Sequence, residues 1–236
     1  MKIAGLQKMT LLDYPGRVAC TVFLQGCNFR CPFCHNSMLL PGTGEVLMDD
    51  TELLAFLKKR VGLLDGVCIT GGEPTLQKEL PELLQAIKAL GYAIKLDTNG
   101  SRPEMLKALV SAGVVDYVAM DIKNSPRRYP ETAGMKESLL PKVEESIRYL
   151  LSGVVDYEFR TTVVSELHDD SSIQDMGVWV TELGNGQKAK RWYLQCYTDR
   201  DSVLCGGLQA PEAEKMQQYA KILTPYGLLV KLRGVD

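Results

Sequence analysis

Three cysteines stand close together near the start of this 236-residue sequence. Cys27, Cys31 and Cys34 lie within eight residues, directly after an apolar segment that predicts a strand. A loop this short can direct three thiolates at one centre, and thiolates are soft ligands that suit zinc or an iron–sulfur cluster. A four-iron cluster held by three cysteines leaves one iron without a protein ligand. Such an open position is what the activation of a further ligand requires.

Other interpretations of the cysteines stay open at this point. A closed structural zinc site needs a fourth ligand, and the adjacent His35 is poorly placed to be that ligand. Cysteines in such a chain are also often small buried side chains, which is what we expect of Cys20 and Cys68 on two predicted strands. A second cluster would need four ligands, and the rest of the chain offers only Cys196 and Cys205.

A second candidate segment, Thr70-Gly71-Gly72-Glu73-Pro74, ends the next predicted strand. Its two glycines would let the backbone approach a ligand closely, and the Glu73 carboxylate could bind a cationic amine. The plainer alternative is a strand-to-helix turn whose shape Pro74 sets. The cysteines upstream favour the binding site over the simple turn.

Polar residues also end two later predicted strands, in Asp97-Thr98-Asn99-Gly100 and in Asp121-Ile122-Lys123. Strand ends of an α/β barrel converge on one face, where active sites form. The carboxylates of Asp97 and Asp121 could share a small cation there. Alternatively, Asn99 opens a turn that Asp97 caps, and Asp121 and Lys123 form a surface ion pair.

Two further polar residues lie in the second half of the chain. Arg160 falls within the apolar predicted strand Tyr157–Val164, where an unpaired charge would be costly. A bidentate contact with a carboxylate would satisfy it, either on a ligand or in a structural salt bridge. We expect His168 to lie in a solvated loop.

Apolar, β-branched segments alternate with amphipathic ones along the chain. Six strands are predicted, at Ala19–Gln25, Gly66–Thr70, Tyr92–Thr98, Asp116–Ile122, Tyr157–Val164 and Arg191–Cys196. A final segment, Gly227–Leu232, could add another. Apolar residues at helical spacing, with Pro211 opening the last helix, predict helices at Glu79–Leu90, Pro103–Ala112, Lys136–Leu151 and beyond Pro211.

This alternation predicts an α/β fold with a parallel sheet and right-handed crossovers. Six strand–helix units suit an incomplete, TIM-like (β/α)6 barrel. An open, doubly wound sheet is the structural alternative. We expect a single domain over residues 1–236, in which residues from about 197 to 236 cap the sheet or add a strand.

The composition restricts the class of protein. The hydrophobic content of 45% and the net charge of −2 are ordinary for a soluble globular protein without a general nucleic-acid-binding surface. The N-terminus does not resemble a signal peptide, and no apolar segment is long enough to cross a bilayer. We therefore expect a cytoplasmic protein without membrane or nucleic-acid partners, in which seven cysteines are thiols or metal ligands.

The spacing of Cys27, Cys31 and Cys34, with an aromatic residue at Phe33, resembles the signature of the radical S-adenosylmethionine (radical SAM) superfamily. The segments Thr10–Gly16 and Phe23–Cys27 are similar to the N-terminal region of anaerobic ribonucleoside-triphosphate reductase activating proteins. A weaker similarity to pyruvate formate-lyase activating enzymes covers the same motifs. The resemblance spans about residues 1–200, and its specific motifs lie in the first 165.

The resemblance implies the radical SAM fold, a [4Fe-4S] cluster on the three cysteines and S-adenosyl-L-methionine on its open iron. It implies that Glu73 and its neighbours bind the cofactor's amino group, and that Asp97, Asp121 and the Thr98 carbonyl surround a monovalent cation beside the cofactor carboxylate. The implied cofactor-binding set is Phe33, His35, Gly71, Gly72, Glu73, Pro74, Asp97, Thr98, Asn99, Asp121, Lys123 and Arg160.

The activity that the resemblance implies is reductive cleavage of the cofactor to a 5′-deoxyadenosyl radical, which abstracts a hydrogen atom. The expected substrate is a glycine of a partner glycyl-radical enzyme, with a flavodoxin or ferredoxin-type reductant. Three alternatives stay open. The first is a radical enzyme acting on a small molecule, such as a deazapurine synthase, or on a ribosomal peptide. The second is an iron–sulfur electron carrier, and the third is a zinc-stabilised binding module.

Overall fold

The computed structural model describes residues 1–40 and 46–235. Asp236, the last residue of the predicted capping segment, lies outside them. Within those ranges, no helix combines the length and apolar character that crossing a bilayer requires. The strands are β1 (Ile3–Thr10), β2 (Ala19–Leu24), β3 (Gly66–Gly71), β4 (Ala93–Thr98), β5 (Tyr117–Asp121), β6 (Asp156–Val163), β7 (Trp192–Cys196) and β8 (Val230–Arg233).

Helices follow most of the strands, which confirms the α/β fold class. Strand order in the eight-stranded sheet follows the chain from β1 to β8. The α-helices are α1 (Asp50–Lys58), α2 (Leu80–Ala89), α3 (Pro103–Ser111), α4 (Tyr129–Ala133), α5 (Leu140–Leu151), α6 (Asp170–Leu183) and α7 (Ala213–Leu223).

The sheet has two more strands than the six predicted with definite bounds. The final strand, β8, falls where Gly227–Leu232 was expected to add one. The first strand, β1, was missed, because most of its side chains are partly or fully exposed and give no clear apolar alternation. It lies antiparallel to β2 at the sheet edge, with Ile3 opposite Leu24 and Thr10 opposite Ala19.

The chain divides into two compact units by internal contacts. The first unit comprises residues 1–28, 38–98 and 104–119. Its strands β2, β3 and β4 are parallel, with Ala19 paired to Gly66 and Gly66 to Ala93. Most residues of β2 and β3 are buried on both faces, as in parallel sheets covered by helices.

Local signals in the first unit set the helix ends. Asp49 and Glu52 form a reciprocal capping box that starts α1. The apolar face of α2 is buried, as its helical spacing predicted. The helix ends at Ala89 with Leu90 as its C-cap, and Gly91 follows with a positive φ of 91°.

The second unit comprises residues 29–37, 99–103 and 120–236. Here β6, β7 and β8 are parallel, with Phe159 paired to Trp192 and Trp192 to Val230. Helix α5 begins at Leu140 rather than at Lys136, because a 3₁₀ turn over Glu137–Leu139 precedes it. Helices α1, α4 and α6 were not named from the sequence.

Candidate functional site

The cluster loop, residues 26–36, begins in the first unit at the end of β2. Gly26 has a φ of 95°, a left-handed conformation that glycine adopts without strain, and its N–H donates to the Leu39 carbonyl at 2.7 Å. Its own carbonyl accepts the Glu73 N–H at 2.7 Å. These bonds fix the backbone immediately before Cys27, the first predicted cluster ligand.

The Gly71-Gly72 segment packs directly against this backbone. A Cβ on Gly72 would lie 2.0 Å from the Gly26 carbonyl oxygen, and a Cβ on Gly71 would lie 2.4 Å from the Leu24 backbone. The Gly72 N–H donates to the Leu24 carbonyl at 2.9 Å. The sequence suggested that these glycines admit a ligand. The structure adds that they leave room for the backbone of Leu24 and Gly26. This close packing positions the start of the cluster loop.

Glu73 is fully buried and held by hydrogen bonds within the first unit. One carboxylate oxygen accepts the Thr75 N–H at 3.1 Å, the Thr98 hydroxyl at 2.8 Å and also the Thr75 hydroxyl. Pro74 follows Glu73 as the first residue of a 3₁₀ turn. The carboxylate is therefore fixed before any ligand binds, and the Thr98 side chain contributes to fixing it.

Asp97 pairs with a lysine of its own strand. The Lys95 ammonium contacts the Asp97 carboxylate, and it also lies 3.7 Å from the Cys68 thiol. The Lys95 side chain is only 2% exposed, whereas that of Asp97 is 13% exposed. Cys20 and Cys68 are buried in this unit, as predicted.

In the second unit, the cluster loop continues against the end of α4. The Arg30 N–H donates to the Ala133 carbonyl at 3.0 Å, and the Cys31 thiol contacts the same carbonyl at 3.5 Å. A turn brings the Cys34 N–H to the Cys31 carbonyl at 3.1 Å. Gly134 has a positive φ, and a Cβ there would lie 2.2 Å from the Arg30 carbonyl oxygen. The backbone from Arg30 to Cys34 is thus held by close contacts.

A covering segment, Tyr197–Cys205, also contacts this loop. His35 Nε2 bonds to the Thr198 carbonyl at 2.6 Å, and its ring stacks on Tyr197 with centroids 5.8 Å apart. The Cys205 N–H donates to the Pro32 carbonyl at 2.9 Å. The resemblance placed His35 in the cofactor-binding set, and in the structure its side chain contacts the covering segment.

Asp121 stands between two cationic side chains of the second unit. Its carboxylate oxygens lie 2.8 Å from Lys123 Nζ and 3.0 Å from Arg160 Nε. Burial acts to raise the pKa of Asp121, but these two cations outweigh it and hold the pKa at about 2. The sequence suggested that Arg160 contacts a carboxylate, and Asp121 provides one. Lys123 is 14% exposed, so this ion pair is not a simple surface contact.

Lys123 lies close to the cluster loop within the second unit. Its ammonium is 5.8 Å from the centre of the buried Phe33 ring. Burial raises the pKa of the Cys31 thiol, while the nearby Lys123 ammonium acts to lower it. A cation beside this thiol favours its thiolate, which is the form that binds metal.

His168 is buried, so the expectation of a solvated loop was wrong. Its Nε2–H donates to the Lys123 carbonyl at 2.9 Å, while Nδ1 accepts the Val164 N–H at 3.2 Å. Burial lowers the pKa of His168, in agreement with a neutral ring. Its bond to the Lys123 backbone makes it a positioning residue that the sequence did not reveal.

Asn99 forms the turn that was considered as the plainer alternative. Its side-chain oxygen accepts the Ser101 N–H at 2.9 Å, and Gly100 follows it with a φ of 75°.

Lys95 was not predicted as a site residue, although the sequence contains a signal for it. Residues two apart on a strand share a face, so a lysine two residues before Asp97 in an apolar strand indicates an ion pair.

No group of three or more His, Cys, Asp or Glu side chains among the described residues could hold a metal ion. A four-iron cluster needs no such grouping, because each cysteine binds a different iron atom. Three thiols in one short loop, with Cys31 beside a cation, suit the cluster as a donor set. The carboxylates of Asp97 and Asp121 suit an alkali cation less well, because each already pairs with a lysine.

Comparison with known proteins places this geometry in a family. Residues 21–171 match the model of the radical SAM superfamily. A candidate glycyl-radical enzyme activating enzyme of Methanocaldococcus jannaschii is 32% identical, over 99% of this chain and 96% of its own. The pyruvate formate-lyase 1-activating enzyme of Escherichia coli K12 is 27% identical, over 96% of both chains.

A solved structure of the same fold is SuiB of Streptococcus suis bound to its precursor peptide SuiA. It matches with a TM-score of 0.70 and 14% identity, over 91% of this chain and 48% of that one. This chain thus spans about half the length of that protein. The likeness confirms the predicted radical SAM fold. The chain belongs to the radical SAM superfamily and is a radical SAM enzyme. Members of this family bind a [4Fe-4S] cluster and S-adenosylmethionine.

Proposed function

We propose that this enzyme activates a glycyl-radical enzyme by abstracting a hydrogen atom from a glycine of that partner. The observation that carries the proposal is the 32% identity to the candidate activating enzyme, because it extends over 99% of this chain. The similarity to the pyruvate formate-lyase activating enzyme covers 96% of both chains and supports the same class of substrate.

Residues of the cluster loop take the first set of proposed roles. Cys27, Cys31 and Cys34 would hold the cluster. Phe33 and His35 would keep the loop in place, through contacts with Lys123 and with the covering segment, respectively. When bound, the cluster and S-adenosylmethionine supply a one-electron cleavage that yields the 5′-deoxyadenosyl radical.

Residues at the strand ends take the second set of proposed roles. The fixed Glu73 carboxylate, on the Gly71-Gly72 backbone and before Pro74, would accept hydrogen bonds from the cofactor's amino group. Arg160 and Lys123 would offer positive charge to its carboxylate, with Asp121 holding both side chains in place. The other residues proposed to line the cofactor site are Asp97, Thr98 and Asn99.

Several predictions from the sequence belong to this proposal. We propose an anaerobic ribonucleotide reductase-like enzyme as the partner and a flavodoxin or ferredoxin-type protein as the reductant. We also propose a cytoplasmic location, a single domain over residues 1–236 and no nucleic-acid or membrane partner. The monovalent cation beside Asp97 and Asp121 remains a prediction from the resemblance. Each of these carboxylates also pairs with a lysine, which would compete with such a cation.

The test is anaerobic incubation of the reconstituted, reduced enzyme with S-adenosylmethionine and glycyl-radical enzymes encoded near its gene. We expect a glycyl doublet in the electron paramagnetic resonance spectrum, with deoxyadenosine formed in matching amount. A Cys34→Ala variant is the control and should give neither signal.

Two outcomes would contradict the proposed substrate. One is cofactor cleavage without a doublet on any of these partner enzymes. The other is deoxyadenosine formation stimulated by a small molecule or by a ribosomal peptide instead.

A further inference from the structure

Lys95 is a buried lysine in the middle of an otherwise apolar strand. Its neighbours on β4, Ile94 and Leu96, are fully buried, and its own side chain is 2% exposed. A buried ammonium is costly unless a negative charge and hydrogen bonds compensate it. The Asp97 carboxylate compensates it here, with the Cys68 thiol at 3.7 Å as a further neighbour.

The arrangement places a fixed positive charge directly against Asp97. The two residues are two apart on one strand, so they share a face of the sheet. Asp97 is the more exposed member of the pair, at 13%, and Lys95 is the more deeply buried one. The carboxylate can therefore meet a ligand while the ammonium behind it neutralises its charge.

The same spacing recurs at the end of β5. There Asp121 pairs with Lys123 at 2.8 Å, again two residues apart, and Arg160 adds a second cation at 3.0 Å. Both carboxylates that the family resemblance assigns to a monovalent cation thus have an ammonium of this chain as a partner. A metal ion at either carboxylate would have to displace or repel that ammonium.

We propose that Lys95 is a positioning residue that supplies the positive charge beside Asp97 in place of a monovalent cation. Cofactor binding by this enzyme therefore needs no alkali metal ion. This inference rests on the proposed radical SAM cofactor site and deepens it. Without Lys95, the Asp97 carboxylate would be uncompensated, would repel the cofactor's carboxylate and would bind an alkali ion instead.

The experiment measures S-adenosylmethionine affinity on the cluster-loaded full chain, with choline chloride as the only salt and then with added KCl or NaCl at constant ionic strength. For the wild type we expect less than about a two-fold change in affinity with either alkali ion. For Lys95→Met we expect affinity roughly ten-fold lower in choline, and largely restored by one of the alkali ions.

Two further variants separate the role of the charge from a folding defect. The double variant Lys95→Met/Asp97→Asn removes both charges, so it should fold and show no response to alkali ions. Lys88→Met removes a lysine from an exposed pair with Asp116 in the same unit, and it should behave like the wild type. A readout independent of the cofactor is thermal unfolding of the cluster-free protein, in which the alkali ion that restores affinity should stabilise only Lys95→Met.

Each outcome decides the inference. A wild-type enzyme that loses cofactor affinity without alkali ions overturns it, as does a folded Lys95→Met variant with normal affinity in choline. If Lys95→Met fails to fold, the wild-type salt series and the double variant still test whether cofactor binding needs an alkali ion. Deoxyadenosine formation is measured in the same samples. Its absence from the wild type under every salt condition contradicts the proposed function, whereas its dependence on alkali ions contradicts only the role of Lys95.

Discussion

Replacing Gly72 by alanine tests whether close packing of two backbone segments holds the cluster loop in position. Gly72 has no left-handed φ, so an alanine there meets only a steric problem. Its Cβ would lie 2.0 Å from the Gly26 carbonyl oxygen and 3.1 Å from the Cys27 nitrogen. Real Cβ contacts are essentially never shorter than 3.0 Å, so this peptide must move by about 1 Å.

The energetic cost follows from what that movement disrupts. Inserting a methyl group into closely packed structure costs about 1–3 kcal/mol, and each weakened hydrogen bond costs about 1 kcal/mol. The bonds at risk are Gly72 N–H to Leu24 at 2.9 Å and Glu73 N–H to Gly26 at 2.7 Å. We therefore expect Gly72→Ala to lower the free energy of unfolding by about 3–5 kcal/mol.

The assay combines urea unfolding of the cluster-free protein with iron and sulfide analysis after anaerobic reconstitution. Gly206→Ala is the matched control, because Gly206 also has no left-handed φ and no atom within 4 Å of an added Cβ. We expect the control to retain normal stability and iron content, and Gly72→Ala to lose both. Normal stability and a full complement of iron in Gly72→Ala would refute the reasoning.

Three further predictions concern single side chains. Cys31→Ser should lose most of the cluster iron on reconstitution while Cys205→Ser keeps it, and equal losses in both variants would contradict the assignment of ligands. Glu73→Gln should keep the fold but lower cofactor affinity roughly ten-fold, measured by equilibrium dialysis of the cluster-loaded protein. Burial lowers the pKa of His168, so the unfolded chain takes up the proton first as the pH falls below about 6.5. Stability should then decline on acidification by up to about 1.4 kcal/mol per pH unit, and His168→Gln should show a shallower decline between pH 7 and 5 in urea titrations.

The features that the sequence predicted best are those encoded within a short segment. The cysteine spacing and the polar ends of β3, β4 and β5 each depend on a few adjacent residues and on the direction of one strand. Most helix and strand positions followed from apolar periodicity, as in α2, whose observed bounds lie within one residue of the prediction at each end. The fold class followed from their alternation.

The features that were missed depend on contacts distant in sequence. His168 bonds to the Lys123 carbonyl, 45 residues earlier, and nothing local distinguishes it from a histidine in solvent. The contact of Gly72 with Gly26 joins two strand ends, so composition alone could not tell packing from ligand approach. Strand β1 was not predicted because an edge strand exposes side chains that a central strand would bury.

The contacts of the covering segment have a consequence for how the protein matures. His35 and Ser37 bond to Thr198 and Ser202, partners that lie 163 and 165 positions further along the chain. While the ribosome is still translating the codons that precede Thr198, those partners do not yet exist. The thiols would emerge early, yet the contacts between their loop and the covering segment would form only after residues near 200 have left the exit tunnel. Iron delivery to this enzyme should therefore follow the synthesis of residues near 200.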